Sequence, residues 1–510
     1  LNAMTYPDKT VYPVASCNDK DFQNLMHVYM DAVFYPDIYK QDKTFRQEGW
    51  SYKLDDPDGE LTISGVVYNE MKGAYSSPEG VLDRVIQGSL FTDTTYAVDS
   101  GGDPEVIPQL TYEQFLDFHR KYYHPSNSYI YLYGDMDMEE KLRWLDEKYL
   151  SHFENEPVDS EIHLQKPFTE MREVVQNYSI TSEESEEDNT YLSYNKVVGT
   201  SLDEKLYLAF EILDYALLSA PGAPLKKALL DAGVGKDISG SYDNGVYQPI
   251  FSVISKNANV EQKEEFVRVI EDTLKDIVKN GINKKALRAG INYHEFRFRE
   301  ADFGNYPRGL MYGLQLFDSW LYGGAPEANL QIGDLFVHLR EKMKQGYFEH
   351  LIREELLENP HRCKVTLIPS KTAGEARRAK EAKRIEDESA MWSDKVREEI
   401  IAKQERLEAW QNSEDTPEQL AALPHLELSD LSRTPQEQPI EELVIDGQKV
   451  LVHRVNSSGI AYITLYFDEN HYTEAELPAL GLLCRLFGNL ETTQSSVEEL
   501  NNRVRLLCGS

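Results

Sequence analysis

No stretch of this 510-residue chain approaches the ~20 consecutive apolar residues needed to span a bilayer, and its start has neither the basic residues nor the apolar run of a signal peptide. Cysteine is scarce. Cys17, Cys363, Cys484 and Cys508 stand far apart with no CxxC pair, so neither a thiolate zinc knuckle nor a disulfide framework is indicated. This usage fits a reducing compartment, and the reading is cytoplasmic, or an organelle matrix if the source is eukaryotic. Positive charge is also short: 53 Lys and Arg stand against 87 Asp and Glu, a net −34. Such a field repels phosphate backbones and anionic lipid heads, which argues against nucleic acid or membrane as partner and favours basic ligands. The twelve histidines include no pair at i, i+4, and the chain has no HExxH, HxxEH, GxSxG, GxxxxGK[ST] or GxGxxG motif.

What is present is a soluble, globular composition, 41% apolar and 27% charged, at a length that predicts three or four domains. Apolar residues Phe22, Leu25, Met26, Tyr29, Ala32 and Val33 recur at three- and four-residue steps and predict a helix over 19–35, ended by Pro36. Strands are expected at 51–54, 61–64 and 129–133. Helices are expected over 66–91, broken near Ser77-Pro78, and at 112–122 and 138–149. Mixed order of this kind is an α+β signature.

A second unit repeats the rhythm, with strands at 172–180 and 190–197 and helices at 202–218, 260–280 and 284–298, so internal duplication is expected although no residue-level repeat shows it. Between its strands, the acidic run 183–188 reads as a solvated loop. Residues 374–412 are rich in Ala, Glu, Lys and Arg and carry a narrow stripe of Trp392, Val396, Ile400, Leu407 and Trp410, which reads as one long helix with the stripe buried. Thr416-Pro417-Glu418-Gln419 is a capping box that opens a second helix, giving a hairpin that links larger bodies. Strands at 449–455 and 460–467 and a helix at 474–490 begin a further unit. Both ends of the chain read as cut from a longer protein.

Few residues stand out chemically. His119 and His124 lie five apart, on different sides of a helix end, which favours structural roles. Cys17 has no evident activating histidine and reads as a small buried thiol. Glu70 is a lone carboxylate within an otherwise apolar helical stretch, and spacing alone leaves it either a surface residue or a metal ligand.

The segment Gly65-Val66-Val67-Tyr68-Asn69-Glu70-Met71-Lys72-Gly73-Ala74 resembles the one carrying the distal zinc-binding glutamate in presequence proteases, a branch of the pitrilysin/insulinase family of zinc metallopeptidases. Other segments resemble that branch in the same order. They are 1–5 with Thr10-Val11-Tyr12-Pro13, Gln47-Glu48-Gly49-Trp50, Ser100-Gly101-Gly102-Asp103-Pro104, Tyr123-His124-Pro125-Ser126-Asn127, Trp320-Leu321-Tyr322-Gly323-Gly324 and Leu423-Pro424 with Ser429-Asp430.

The resemblance implies repeated pitrilysin-like α+β domains, each an antiparallel-rich sheet packed with helices, plus the helical hairpin. Its expected divisions are the C-terminal part of a first domain at 1–158, a second domain at 159–372, the hairpin at 373–434 and the start of a third domain at 435–510. It further implies a parent protein that is a zinc-dependent endopeptidase degrading free, unstructured, basic peptides such as targeting peptides. There, two histidines and Glu70 would hold zinc, whose bound water a glutamate deprotonates for attack on a peptide carbonyl. The peptide would add as a strand along Asn2, Ala3 and Met4. Because HxxEH is absent, no catalytic residue is expected in this chain, which is read as inactive by itself and without bound zinc. The alternative is a noncatalytic peptide-binding or assembly subunit of the same family. Oligomeric state stays open.

Overall fold

The computed structural model describes residues 2–435 and 437–508. They form two compact units. One comprises residues up to Leu192 with Ala258–Val260 and His361–Leu431; the other comprises Ser193–Asn257, Glu261–Pro360 and the residues from Ser432 onward.

The first unit opens with a small antiparallel hairpin, Met4–Thr5 against Thr10–Val11. Asn18 then caps the helix Asp19–Phe34 by accepting the Asp21 N–H at 3.0 Å, the bond that an N-cap side chain supplies to an otherwise orphaned donor. Strands Ser51–Lys53 and Thr62–Ser64 pair antiparallel and lead into helices Val66–Ala74 and Pro78–Leu90. The expected break is present: Ser77 caps the second helix and Pro78 occupies its first position, where a missing N–H costs nothing. Leu82, Ile86 and Leu90 recur every four residues and form its buried face. Helix Tyr112–Tyr122 starts with a Thr111/Gln114 capping box, and Met138–Lys148 with Asp137. Strand Arg172–Ser179 pairs with Arg362–Ser370 in parallel, from Arg172↔Cys363 to Ser179↔Ser370. Cys363, Val365 and Leu367 there are fully buried.

In the second unit the strands run in the order Thr190–Val197 (from Ser193), Ile250–Ala258 (to Asn257), Asp237–Asp243, the last two antiparallel. Helix Glu204–Asp214 continues into a π-helical turn, Tyr215–Ser219, and with Lys263–Asn280 and Lys284–Glu300 supplies a large share of the buried apolar side chains. A hairpin, Glu441–Ile445 with Gln448–Val452, turns at Asp446-Gly447, both at positive φ (51° and 80°), the conformation a two-residue turn requires.

Several expectations are corrected. Residues 374–412 are two helices, Ala373–Ser389 and Asp394–Gln411, because Ser393 takes extended backbone and starts a new helix. The Thr416 capping box is present and opens the short helix Pro417–Ala422. Trp392 and Trp410 are half-buried rather than buried; Trp392 meets Tyr52 edge-on at 4.9 Å and Lys43 lies over Trp410. Residues 129–133 and 460–467 lie outside any strand, and the helix expected at 474–490 is confined to Leu477–Leu486. Residues 183–188 form an exposed loop, as the repulsion among their charges predicts.

Candidate functional site

Helix Val66–Ala74 begins where Gly65 lies against the backbone of Gly49 and Trp50; any Cβ at Gly65 would overlap the Gly49 carbonyl. Two glycines that carry the resemblance are thus a single close backbone contact. Three residues into the helix, Tyr68 is only 1% exposed and its hydroxyl donates to Glu381 Oε1 at 2.5 Å. Lys72, one turn on, donates to both oxygens of the same carboxylate at 3.0 Å. Burial would raise the Glu381 carboxyl, but the bonds from Tyr68 and Lys72, with the charges of Lys72 and Arg384, hold it below its ordinary range. Burial, then the bond to Glu381, pushes the Tyr68 phenol well up, so it stays a donor.

The Ser100-Gly101-Gly102 loop closes on the same helix. A Cβ at Gly101 would run into Met71, and Gly102 adopts φ 93° beside Ile107. Arg84 fixes the loop from below: it pairs with Asp99, donates to the Ala74 carbonyl at 3.3 Å and stacks on Tyr75 at 4.1 Å. With Tyr68 and Met71 turned inward, the opposite face is outward. Val66 and Val67 are 43% and 38% exposed and Glu70 is exposed beside them. The helix is therefore seated by Tyr68, Lys72 and Met71, and the valines do not hold it.

The N-terminal hairpin is anchored elsewhere in this unit. The Asn2 N–H donates to the Tyr29 hydroxyl at 2.7 Å, Thr95 Oγ1 donates to the Pro7 carbonyl at 2.9 Å, and the buried Tyr96 donates to Asp8 at 2.7 Å. Asn2 and Ala3 are exposed and Met4 is half-buried. Among the described residues, no hydrogen bond or ion pair joins Glu70 to Asn2, Ala3 or Met4, and no group of three His, Cys, Asp or Glu side chains is placed to hold a metal. A zinc site takes three or four protein ligands. Glu70 is one suitable carboxylate, and the residues described here do not complete a site around it.

The remaining candidates are structural or exposed. His119 Nε2–H donates to the Val33 carbonyl at 2.9 Å, so Nδ1 accepts from Tyr39 at 2.6 Å; burial lowers its pKa, opposed by the Val33 bond. His124 Nδ1 accepts the Ser126 N–H at 3.1 Å. Cys17, expected to be buried, is exposed in the bend before the Asn18 cap, while Cys363 is the buried thiol. Tyr68 and Glu381 escaped the sequence reading because their partnership spans more than 300 residues and leaves no local pattern.

The fold resembles that of the periplasmic protease PqqL from Escherichia coli, with a TM-score of 0.50 at 13% identity over 99% of this chain and 53% of that one. The family profile described as Peptidase M16 inactive domain matches residues 109–293, and the profile of the region associated with M16 peptidases of subfamily C matches 367–510. This is an M16 peptidase fold. Protein HypA of Clostridium perfringens is 45% identical over all of this chain and 52% of its own length; Presequence protease 1, chloroplastic/mitochondrial, of Arabidopsis thaliana is 37% identical over 99% of this chain and 47% of its own. The chain belongs to the presequence protease branch of the M16 family. It spans about half the length of these curated relatives.

Proposed function

We propose that a full-length protein carrying this segment is a zinc-dependent endopeptidase for free, unstructured peptides, basic targeting peptides among them. The observation that carries this is Glu70: an exposed carboxylate on a firmly seated helix, which is flanked by Gly49-Trp50 and Gly101 from segments that share the resemblance. Zinc held there would lower the pKa of a bound water toward neutrality. Glu70 would be its carboxylate ligand, and two further ligands would come from outside this chain. Asn2, Ala3 and Met4 would offer main-chain groups to an added peptide strand, a mode that accepts many sequences. The −34 charge would draw basic peptides in. Under this reading the chain taken alone is inactive, and its divisions fall at 1–158, 159–372, 373–434 and 435–510. Cytoplasm or an organelle matrix is the proposed location; among the described residues no helix is long and apolar enough to cross a membrane.

A noncatalytic peptide-binding or assembly role is the second reading, favoured by the match of 109–293 to a domain described as inactive. Metal analysis after dialysis, with cleavage of a basic peptide, separates the two. Near-stoichiometric zinc and chelator-sensitive cleavage are expected from the full-length protein and neither from this chain. A full-length protein that binds peptide without zinc or cleavage would support the second reading.

A further inference from the structure

Helix Asp19–Phe34 places His27 and Asp31 one turn apart on one face, and helix Met138–Lys148 places Trp144 and Lys148 likewise. The two helices are tied at their other end by the buried Lys141, which pairs with Asp19 at 3.0 Å. Between them is a pocket of about 240 Å³ whose lining includes these four side chains with Tyr35 and Tyr149.

Its walls are aromatic. The rings of Trp144 and Tyr149 lie 5.4 Å apart at 59°, Tyr35 lies 6.2 Å from Tyr149, and His27 meets Trp144 edge-on at 6.0 Å. Among them is one carboxylate, and it is aimed: the buried Tyr149 donates to Asp31 Oδ1 at 2.7 Å. Among the described residues Oδ2 pairs only with His27 Nε2, at 3.5 Å, and the Asp31 side chain is 57% exposed. Each carboxylate oxygen accepts about two bonds, so Asp31 keeps acceptor capacity facing the pocket.

We propose that this pocket binds the guanidinium group of an arginine-containing peptide. Aromatic faces attract cations through their quadrupole, and a planar guanidinium both stacks on them and presents a fork of N–H donors to a carboxylate. An anion would meet Asp31, and a neutral apolar group would strip water from it without replacing its hydrogen bonds. Lys148 and His152 also line the pocket, and the Lys148 charge opposes a second cation, so it tunes affinity downward. The guanidinium is inferred from these side chains and stands apart from the reading of Glu70; that a peptide carries it rests on the function proposed above.

Calorimetric titration of the 510-residue chain with N-acetyl-arginine amide tests it, with N-acetyl-citrulline amide as the uncharged isostere. Saturable binding of the arginine compound is expected, with citrulline weaker by at least about tenfold, the loss of one charge-assisted bond. Asp31→Asn, at an exposed position, should weaken arginine binding similarly while leaving the melting temperature unchanged. Lys148→Ala should tighten it. Equal affinity for citrulline, arginine binding unaffected by Asp31→Asn, or no saturable heat with arginine would each overturn the proposal.

Discussion

The hydroxyl of Tyr68 and the carboxylate of Glu381 meet at 2.5 Å across more than 300 residues of sequence, and Lys72 closes on the same carboxylate. That contact sets the rotation of helix Val66–Ala74, and so decides that Glu70 faces outward while Tyr68 is covered.

Glu381→Ala removes the acceptor and leaves a buried hydroxyl without its partner, which should cost about 1–3 kcal/mol in denaturant unfolding. Glu381→Gln keeps an acceptor oxygen and should cost less. The folded carboxyl titrates below its ordinary value of 4.5, so its contribution is present above that pH and is lost as pH falls through the lowered value. The wild type should therefore lose stability more steeply than Glu381→Gln on acidification below pH 4.5. Parallel curves would show that the pair adds nothing.

Asp214 behaves in the opposite sense. Burial pushes its carboxyl up from 3.8 to about 6, against the pull of His294 and a hydrogen bond with Ser219, and its Oδ1 is buried without a partner. The native state then holds a proton that the unfolded chain has released, so stability should fall as pH rises from about 4 to about 6 and stay lowered above that. Asp214→Asn should flatten this slope and raise the melting temperature at neutral pH. Melting curves across that range check it; an unchanged slope in the variant would refute the assignment.

Gly65→Ala should be poorly tolerated, because the new Cβ would meet the Gly49 carbonyl and the Trp50 backbone, which cannot rotate away. A loss of about 1–3 kcal/mol is expected from overpacking. Gly73→Ala, on the same helix with open space around it, should be neutral or slightly stabilising. Equal effects in thermal melts would mean that the close approach at Gly65 does not constrain the helix.

Local signals made much of this fold legible. Ser77-Pro78 and the Thr416/Gln419 box each act within a turn of helix and are where the sequence placed them, and the Thr111/Gln114 box and the four-residue spacing of Leu82, Ile86 and Leu90 are equally local. The break before Asp394 was equally legible in Ser393, an N-cap residue type masked by the helix-forming composition around it. Strands are different, because a strand exists only with a partner. Residues 129–133 and 460–467 have the right side chains, and a propensity for pleated surface supplies no neighbouring strand. Strand Arg362–Ser370 does alternate, with apolar Cys363, Val365 and Leu367 separated by Lys364 and Thr366, so its period was legible; what the pattern hides is that Lys364 and Thr366 are buried as well. At the site, the glycines and Glu70 were readable as a resemblance, whereas the seating of the helix by Tyr68 and Glu381 required the folded chain.

In the function proposed above, Glu70 is a metal ligand of the full-length protein. The decisive measurement is the zinc content and peptidase rate of that protein with Glu70→Gln, since the change keeps volume and removes only the charge of an exposed side chain. Weakened zinc retention after dialysis and a rate lower by orders of magnitude are expected, with the melting temperature of the metal-free protein unchanged. Wild-type zinc content and wild-type rates in that variant would make Glu70 an ordinary surface glutamate and contradict the claim.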